Sequence, residues 1–240
     1  MFTKIRIPVF LILLFSVGAP LPIKAQILLR DMVSFVPEGK QRVRLYWKDD
    51  QGNLLGSLGR LKTFTEQRRQ RLIFAMNGGM YMEIRAPLGL FIQEGKTIHS
   101  LNKAKSSGNF FLQPNGVFYI NNSGKGTVCK TADFRNRKDI RYATQSGPML
   151  VINGSIHPAF KKGSTNLNIR NGVGILPDGR MLLAMSKKEV SLYDFAAYFK
   201  NKGCRNALYL DGFVSRTYYP EINWKQLDGY FGVMVGVVEN

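Results

Sequence analysis

Short apolar runs separated by turns rich in glycine, asparagine and proline dominate the hydrophobic pattern of the chain. Some alternate apolar and polar positions, as residues 43–47 do, and this period of two is typical of β-strands. The turn sequences Asn153-Gly154 and Pro177-Asp178-Gly179 each separate two such runs and favour hairpins. Strands are predicted in residues 43–47, 89–93, 97–99, 110–112, 116–120, 149–152, 174–176, 181–185 and 231–238.

Two segments have helical rather than strand-like spacing. Residues 64–72 are highly charged and amphipathic, and residues 191–200 place apolar side chains on one helical face. Ser191 is a good N-cap for the second helix, and Gly203 is a good stop signal. Many hairpins with few helices predict an α+β fold, as a single domain with a largely antiparallel sheet.

The first residues have the pattern of a secretory signal peptide. Lys4 and Arg6 precede an uncharged apolar run over residues 7–17, which is too short to span a bilayer as a helix. We therefore expect residues 1–25 to be a signal peptide and residues 26–240 to form an exported domain, periplasmic or secreted. A retained N-terminal anchor is the alternative. No later apolar stretch predicts a transmembrane span in the mature chain.

Basic residues outnumber acidic residues. The formal net charge is +18, and it falls to +15 without residues 1–25, which carry three basic and no acidic residues. Because the basic residues are dispersed rather than clustered with aromatic residues, nucleic-acid binding is the less favoured interpretation. An exported protein that meets anionic glycans, phosphates or membrane surfaces would carry the same excess, and the charge could also serve solubility alone.

Cysteine and histidine add little chemistry. Cys129 and Cys204 are the only cysteines, and their spacing leaves open whether they form a disulfide in an oxidising compartment. They are too few for a zinc site, and neither His99 nor His157 has ligand spacing with them. We expect no metal site and no cofactor, although a cluster of carboxylates and amides could hold a divalent cation.

Four apolar segments each deliver a polar side chain next to a glycine. Residues 207–210 lead to Asp211-Gly212, and a carboxylate at the end of such a run is either a turn residue or a functional one. Because the pattern is repeated, we predict that the four glycine-containing bends converge on one pocket. The other three polar groups are Asn77-Gly78-Gly79, Gln145-Ser146-Gly147 and Arg170-Asn171-Gly172.

In their order and approximate spacing, these four motifs resemble those of the phosphodiester glycosidase family. The resemblance covers residues 72–238, which is most of the mature chain. In the family, the aspartate motif often continues with small residues after the first glycine, whereas this chain has Phe213 and Val214 before Ser215. The resemblance implies an exported hydrolase that splits a sugar from a phosphodiester, with a phosphorylated glycan or sugar-1-phosphodiester as its partner.

The implied reaction assigns roles to three charged residues. A phosphate ester leaves as a stable anion, so the reaction needs a cation for the phosphate and a carboxylate near the developing oxocarbenium charge. We assign the first role to Arg170, whose guanidinium matches phosphate oxygens, and the second to Asp211. Glu83 is the candidate for a second carboxylate, unless it is a surface residue paired with Arg85.

The remaining motif residues are candidates for substrate binding. Asn77 could bond a sugar hydroxyl or cap a turn, and backbone N–H groups of the glycines could contact an anion. A non-catalytic binding module for phosphorylated or acidic glycans is the alternative function, since binding could use the same residues. The candidate substrate-binding residues are Asn77, Gly78, Gly79, Gln145, Ser146, Gly147, Gly212 and Ser215.

Overall fold

A computed structural model describes residues 31–212 and 214–240, so the predicted signal peptide lies outside the described residues. Two helices, α1 (Leu58–Gln67) and α2 (Leu192–Asn201), accompany sixteen strands within these ranges. The strands are β1 (Met32–Phe35), β2 (Arg42–Tyr46), β3 (Arg71–Gly79), β4 (Phe91–Gln93), β5 (Lys96–His99), β6 (Gly116–Asn121), β7 (Gly126–Lys130), β8 (Ile140–Ser146), β9 (Met149–Ile152), β10 (Ser155–Ile156), β11 (Asn171–Ile175), β12 (Met181–Ser186), β13 (Asn206–Asp211), β14 (Thr217–Tyr219), β15 (Trp224–Lys225) and β16 (Val233–Glu239).

The strands form three antiparallel sheets, which confirms the predicted α+β class. Sheet A has the order β1-β12-β11-β13-β9-β10, sheet B has the order β15-β14-β3-β16-β2, and sheet C has the order β5-β4-β8-β6-β7. Within each sheet, every pair of neighbouring strands is antiparallel. Neither helix in the described part of the chain is long and apolar enough to cross a membrane.

One apolar core lies between the three sheets, and smaller clusters cover their outer faces. In β13, Leu208 and Leu210 face the central core, while Ala207 and Tyr209 pack with the apolar face of α2. Side chains alternate between the two faces of β16 in the same way. Val235 packs in the central core, and Met234 packs in the cluster that includes α1. Because both faces of these strands are buried, their sequences are apolar throughout.

Several predicted elements are confirmed with their caps and turns. The Ser191 hydroxyl accepts a hydrogen bond from the Asp194 N–H at 3.0 Å, as expected of the N-cap of α2. Gly203 follows that helix with a φ of +81°. Asn153 and Gly154 both have positive φ between β9 and β10, which is the hairpin geometry that this dipeptide favours.

Three local predictions are wrong. Residues 109–111 form a 3₁₀-helix rather than part of a strand, because Gly108 turns the chain with a φ of +94°. Helix α1 begins at Leu58, where Ser57 caps it, and it ends at Gln67 before Arg69 adopts a left-handed conformation. Residues 77–79 are not a bend, because β3 continues through Gly79. The expectation of four glycine bends therefore fails at this motif, and it fails again at Asn171-Gly172, which lie inside strand β11.

Candidate active site

Two asparagines and one aspartate from three strands form a single hydrogen-bonded cluster. Asn171 begins β11 and pairs in register with Asp211 at the end of β13. The Asn77 side chain on β3 donates from Nδ2 to Asp211 Oδ2 at 3.1 Å. Asn171 Nδ2 donates to both the backbone oxygen and Oδ1 of Asn77 at 2.7 Å. The cluster therefore joins sheet A to sheet B at Asp211.

Backbone N–H groups determine how the two amides are oriented. The Arg216 N–H donates to Asn77 Oδ1 at 3.1 Å, and the Asp211 N–H donates to Asn171 Oδ1 at 2.8 Å. Because a backbone N–H can only donate, each of these contacts identifies an amide oxygen. The amide nitrogen of Asn77 must then point at Asp211. The network is built to present a donor to this carboxylate.

The carboxyl group of Asp211 has a strongly raised pKa. Burial of its carboxyl raises the pKa of Asp211 to about 6, against the opposing effect of hydrogen bonds from the Gly212 N–H and from Asn77. The Gly212 N–H donates to Oδ1 at 2.7 Å. Each carboxylate oxygen accepts one hydrogen bond from the described residues, so each keeps a further lone pair, and the residue as a whole is partly exposed. A carboxyl that titrates near neutral pH is suited to catalysis.

Two glycines allow the close approach that forms this site. A Cβ on Gly78 would lie 2.8 Å from backbone atoms of Met234 and Val235, so only glycine lets β3 pack against β16 there. A Cβ on Gly212 would collide with the hydroxyl of Tyr209. These glycines serve packing around Asp211, in strand or strand-end positions.

The hydroxyls of Ser146 and Ser215 both bind the chain around Asp211. Ser146 Oγ donates to the carbonyl of Leu210 at 2.8 Å, and Ser215 Oγ donates to the carbonyl of Gly212 at 2.9 Å. Both side chains are buried. They therefore hold the end of β13 in place in this structure.

Gln145 and Gly147 also lie in buried structural positions. Gln145 Oε1 accepts from the N–H groups of Leu90 and Asn102 at 3.0 and 2.8 Å, and its Nε2 donates to the Asn102 carbonyl at 2.7 Å. Gly147 is packed against Asn115, where a Cβ would lie 2.6 Å from the Asn115 side chain. Their neighbour Ser146 connects this segment to the Asp211 strand.

Arg170 is buried behind the cluster, with only 1% of its surface exposed. Its Nε donates to the Val190 carbonyl at 2.7 Å, and its Nη2 donates to both the carbonyl and the Oδ1 of Asn166 at 2.9 and 3.1 Å. Nη1 donates to the Tyr209 hydroxyl at 3.1 Å. The guanidinium thus connects to the Asp211 region through Tyr209. Its Nε, Nη1 and Nη2 atoms all donate to protein acceptors already.

Glu83 lies on an exposed turn after β3. The turn is closed by hydrogen bonds of Met82 and Ala86, and by the Arg85 N–H donating to the Met82 carbonyl at 2.8 Å. Among the described residues, Glu83 has neither a hydrogen bond nor an ion pair, so it is a surface residue as the alternative stated, but it does not pair with Arg85. The arginine guanidinium instead lies over the rings of Tyr81 and Tyr230.

Sequence patterns missed three residues of this region. Asn171 belongs to one of the four motifs, but charge favours the neighbouring Arg170 as the functional residue. Strand alternation could have warned that adjacent residues do not face the same way. Tyr81 directly follows the Asn77-Gly78-Gly79-Met80 segment, and the sequence indicates Arg85 only as a partner for Glu83, because their positions depend on the loop that follows β3. No group of three or more His, Cys, Asp or Glu residues that could hold a metal ion occurs within residues 31–212 and 214–240.

Comparisons with known proteins agree with the motif pattern. A family model described as phosphodiester glycosidase matches residues 70–237. The chain is also 42% identical over 179 residues to the uncharacterized protein YigE of Escherichia coli (strain K12), and this match covers 74% of this chain and 70% of that protein.

Solved structures share the fold at low sequence identity. The auto-inhibited catalytic domain of zebrafish N-acetylglucosamine-1-phosphodiester alpha-N-acetylglucosaminidase aligns with a TM-score of 0.52 and 14% identity, over 88% of this chain and 89% of that one. A candidate exported protein of Burkholderia pseudomallei K96243 aligns with a TM-score of 0.54 and 11% identity, over 86% of this chain and 73% of that one.

Proposed function

Because this chain belongs to the phosphodiester glycosidase family, we propose that it hydrolyses the glycosidic bond between a sugar and the phosphate of a sugar-1-phosphodiester. The observation that carries the proposal is the Asn77–Asn171–Asp211 cluster, which orients one desolvated carboxylate at the end of β13. A carboxylate whose pKa is raised by burial is typical of catalytic residues, and this favours catalysis over binding alone.

The chemistry assigns Asp211 to the sugar side of the scissile bond. Its carboxylate stabilises positive charge that develops at the anomeric carbon as the bond to the phosphate oxygen breaks. The departing phosphate monoester is already a stable anion, so the reaction does not depend on a strong general acid. Asn77 and Asn171 keep the carboxylate in position, and Arg170 supports Tyr209 behind it.

The N-terminal sequence supports the proposed location of the protein. The charged residues Lys4 and Arg6 before a short apolar run suit a signal peptide that ends near residue 25. A structural relative described as a candidate exported protein is compatible with export. Substrates in surface or environmental glycans would follow from that location.

We expect purified protein to release free sugar from at least one member of a panel of sugar-1-phosphodiesters. The panel should vary the sugar with a constant alkyl group on the phosphate, and then vary the alkyl group. Sugar release is measured by chromatography with mass detection. Asp211→Asn protein serves as the control for contaminating activity. Absence of sugar release throughout the panel would contradict the proposal.

The acid limb of the pH profile should follow the unusual pKa of Asp211. Only the ionised carboxylate stabilises positive charge, so kcat/KM should decrease about tenfold per pH unit below about 6 and level off above it. Because the pKa of Asp211 is raised, the loss of activity on acidification should begin at a higher pH than it would for an ordinary aspartate. A rate that declines above pH 6 instead would identify Asp211 as a proton donor and would contradict the assigned role.

A further inference from the structure

Arg85 carries a guanidinium without an acceptor among the described residues. Its side chain takes part in no hydrogen bond and no ion pair there, and its Nε is buried without a partner. Buried N–H groups normally have a hydrogen-bond partner, so this arginine is unusual, and its two Nη groups also donate to no described residue. The guanidinium carbon lies 4.9 Å from the ring centre of Tyr81 and 4.3 Å from that of Tyr230.

The backbone around Arg85 is fixed in a conformation that is unusual for arginine. Its φ is +62°, in the left-handed region that non-glycine residues rarely occupy. The indole N–H of Trp47 donates to the Arg85 carbonyl at 2.8 Å, and Gly232 packs so closely that a Cβ would lie 2.8 Å from that oxygen. Such conformations persist where surrounding contacts determine them, and they are frequent at functional sites.

Tyr81 places this arginine beside the Asp211 cluster. It follows Asn77 by four residues and lies two residues beyond the end of β3. Burial raises the pKa of the Tyr81 hydroxyl, the Asp211 carboxylate raises it further, and the Arg85 guanidinium lowers it. Both charged groups therefore lie near enough to Tyr81 to act on the same hydroxyl.

The two other arginines near the cluster are already engaged. Arg170 is buried and bonded to Val190, Asn166 and Tyr209. The Nε of Arg216 donates to both carboxylate oxygens of Asp228 at 3.1 and 3.0 Å. Within the described part of the chain, Arg85 is thus the arginine of this region whose guanidinium donates no hydrogen bond.

We propose that Arg85 binds the phosphate group of the substrate, held between Tyr81 and Tyr230, while Asp211 faces the sugar. This assignment rests on the proposed function and replaces Arg170 as the phosphate-binding residue. A guanidinium can donate two parallel hydrogen bonds to phosphate oxygens, and the tyrosine rings restrict its orientation. The site would therefore select a phosphodiester over an uncharged glycoside of the same sugar.

The test compares two substrates of the same sugar, a sugar-1-phosphodiester and an aryl glycoside. For Arg85→Gln we expect kcat/KM to fall about 10- to 100-fold on the phosphodiester, the usual effect of losing a charged hydrogen bond. On the aryl glycoside the change should stay within about threefold, since that substrate has no phosphate to bind. Arg85→Lys should lie between wild type and Arg85→Gln on the phosphodiester, because it keeps the charge without the fork.

The matched control is Arg68→Gln, which removes another arginine that lies over an aromatic ring, that of Phe64 on α1. It should leave both substrates unaffected. Equal losses on the two substrates, or no loss on the phosphodiester, would overturn the assignment. If Arg85→Gln does not fold, as judged by thermal unfolding, Arg85→Lys takes its place in the comparison.

A binding measurement separates this assignment from the proposed reaction. Calorimetry with inorganic phosphate should detect binding to the wild-type protein and to Asp211→Asn, and clear weakening in Arg85→Gln. That result would support the anion site even if no phosphodiester were cleaved, in which case only the proposed reaction fails. Equal phosphate binding by wild type and Arg85→Gln, or none by wild type, would contradict the role of Arg85.

Discussion

Replacing Asp211 by asparagine is expected to lower kcat on a sugar-1-phosphodiester by about 10³-fold, or about 4 kcal/mol in the barrier. The amide has nearly the same shape but carries no charge, so it cannot stabilise a cationic transition state. Because this interaction develops in the transition state, KM should change much less than kcat. Steady-state kinetics of both proteins on one substrate measure the two effects.

The folded state should tolerate this substitution, which makes the kinetic result interpretable. Asparagine relieves the desolvation that raises the pKa of Asp211, but its NH₂ group must face either Asn77 Nδ2 or the Gly212 N–H, both of which are donors. These effects oppose one another, so thermal unfolding should shift by only a few degrees. A turnover close to that of wild type in a folded Asp211→Asn protein would remove Asp211 from the catalytic role.

Arg170→Lys is expected to destabilise the protein by about 2–4 kcal/mol, because lysine cannot satisfy several acceptors at once in a buried site. The acceptors are the carbonyls of Val190 and Asn166 and the hydroxyl of Tyr209. Chemical denaturation measures the change in the free energy of unfolding. Arg180→Lys is the control, since Arg180 is half exposed and forms surface ion pairs with Asp178 and Glu38, which contribute little.

Arg170→Lys also tests whether Arg170 only holds Tyr209 in place or binds the substrate phosphate directly. If Arg170 acts behind Tyr209, the ratio of kcat/KM values for a phosphodiester and an aryl glycoside should remain near that of wild type. Arg85→Gln should change this ratio. A selective loss of phosphodiester activity in a stable Arg170→Lys protein would restore Arg170 as the phosphate-binding residue.

The parts of the fold that sequence predicts well are those with local signals. Asn153-Gly154 adopts the hairpin geometry that its side chains favour, and Ser191 and Gly203 flank α2 as expected. The antiparallel class follows from the number of short strands with turns between them. These features depend on interactions within a few residues of sequence.

Features that depend on contacts between residues far apart in the sequence are harder to predict. Asn77-Gly78-Gly79 looks like a turn by composition, yet it remains a strand because Gly78 lets β16 approach its backbone. Arg170 and Asn171 are adjacent, and charge alone favoured the first, although it is Asn171 that bonds to Asp211. Arg85 could not be found from sequence, because its place between two tyrosines is a tertiary contact.

The central claim is that Asp211 acts at a sugar carbon, so that the bond between carbon and oxygen breaks rather than the bond between phosphorus and oxygen. Hydrolysis of a sugar-1-phosphodiester in water enriched in ¹⁸O tests this directly, with mass spectrometry of both products. The mechanism predicts the label at the anomeric oxygen of the released sugar and none in the phosphate monoester. Label in the phosphate product would show attack at phosphorus and would contradict the mechanism.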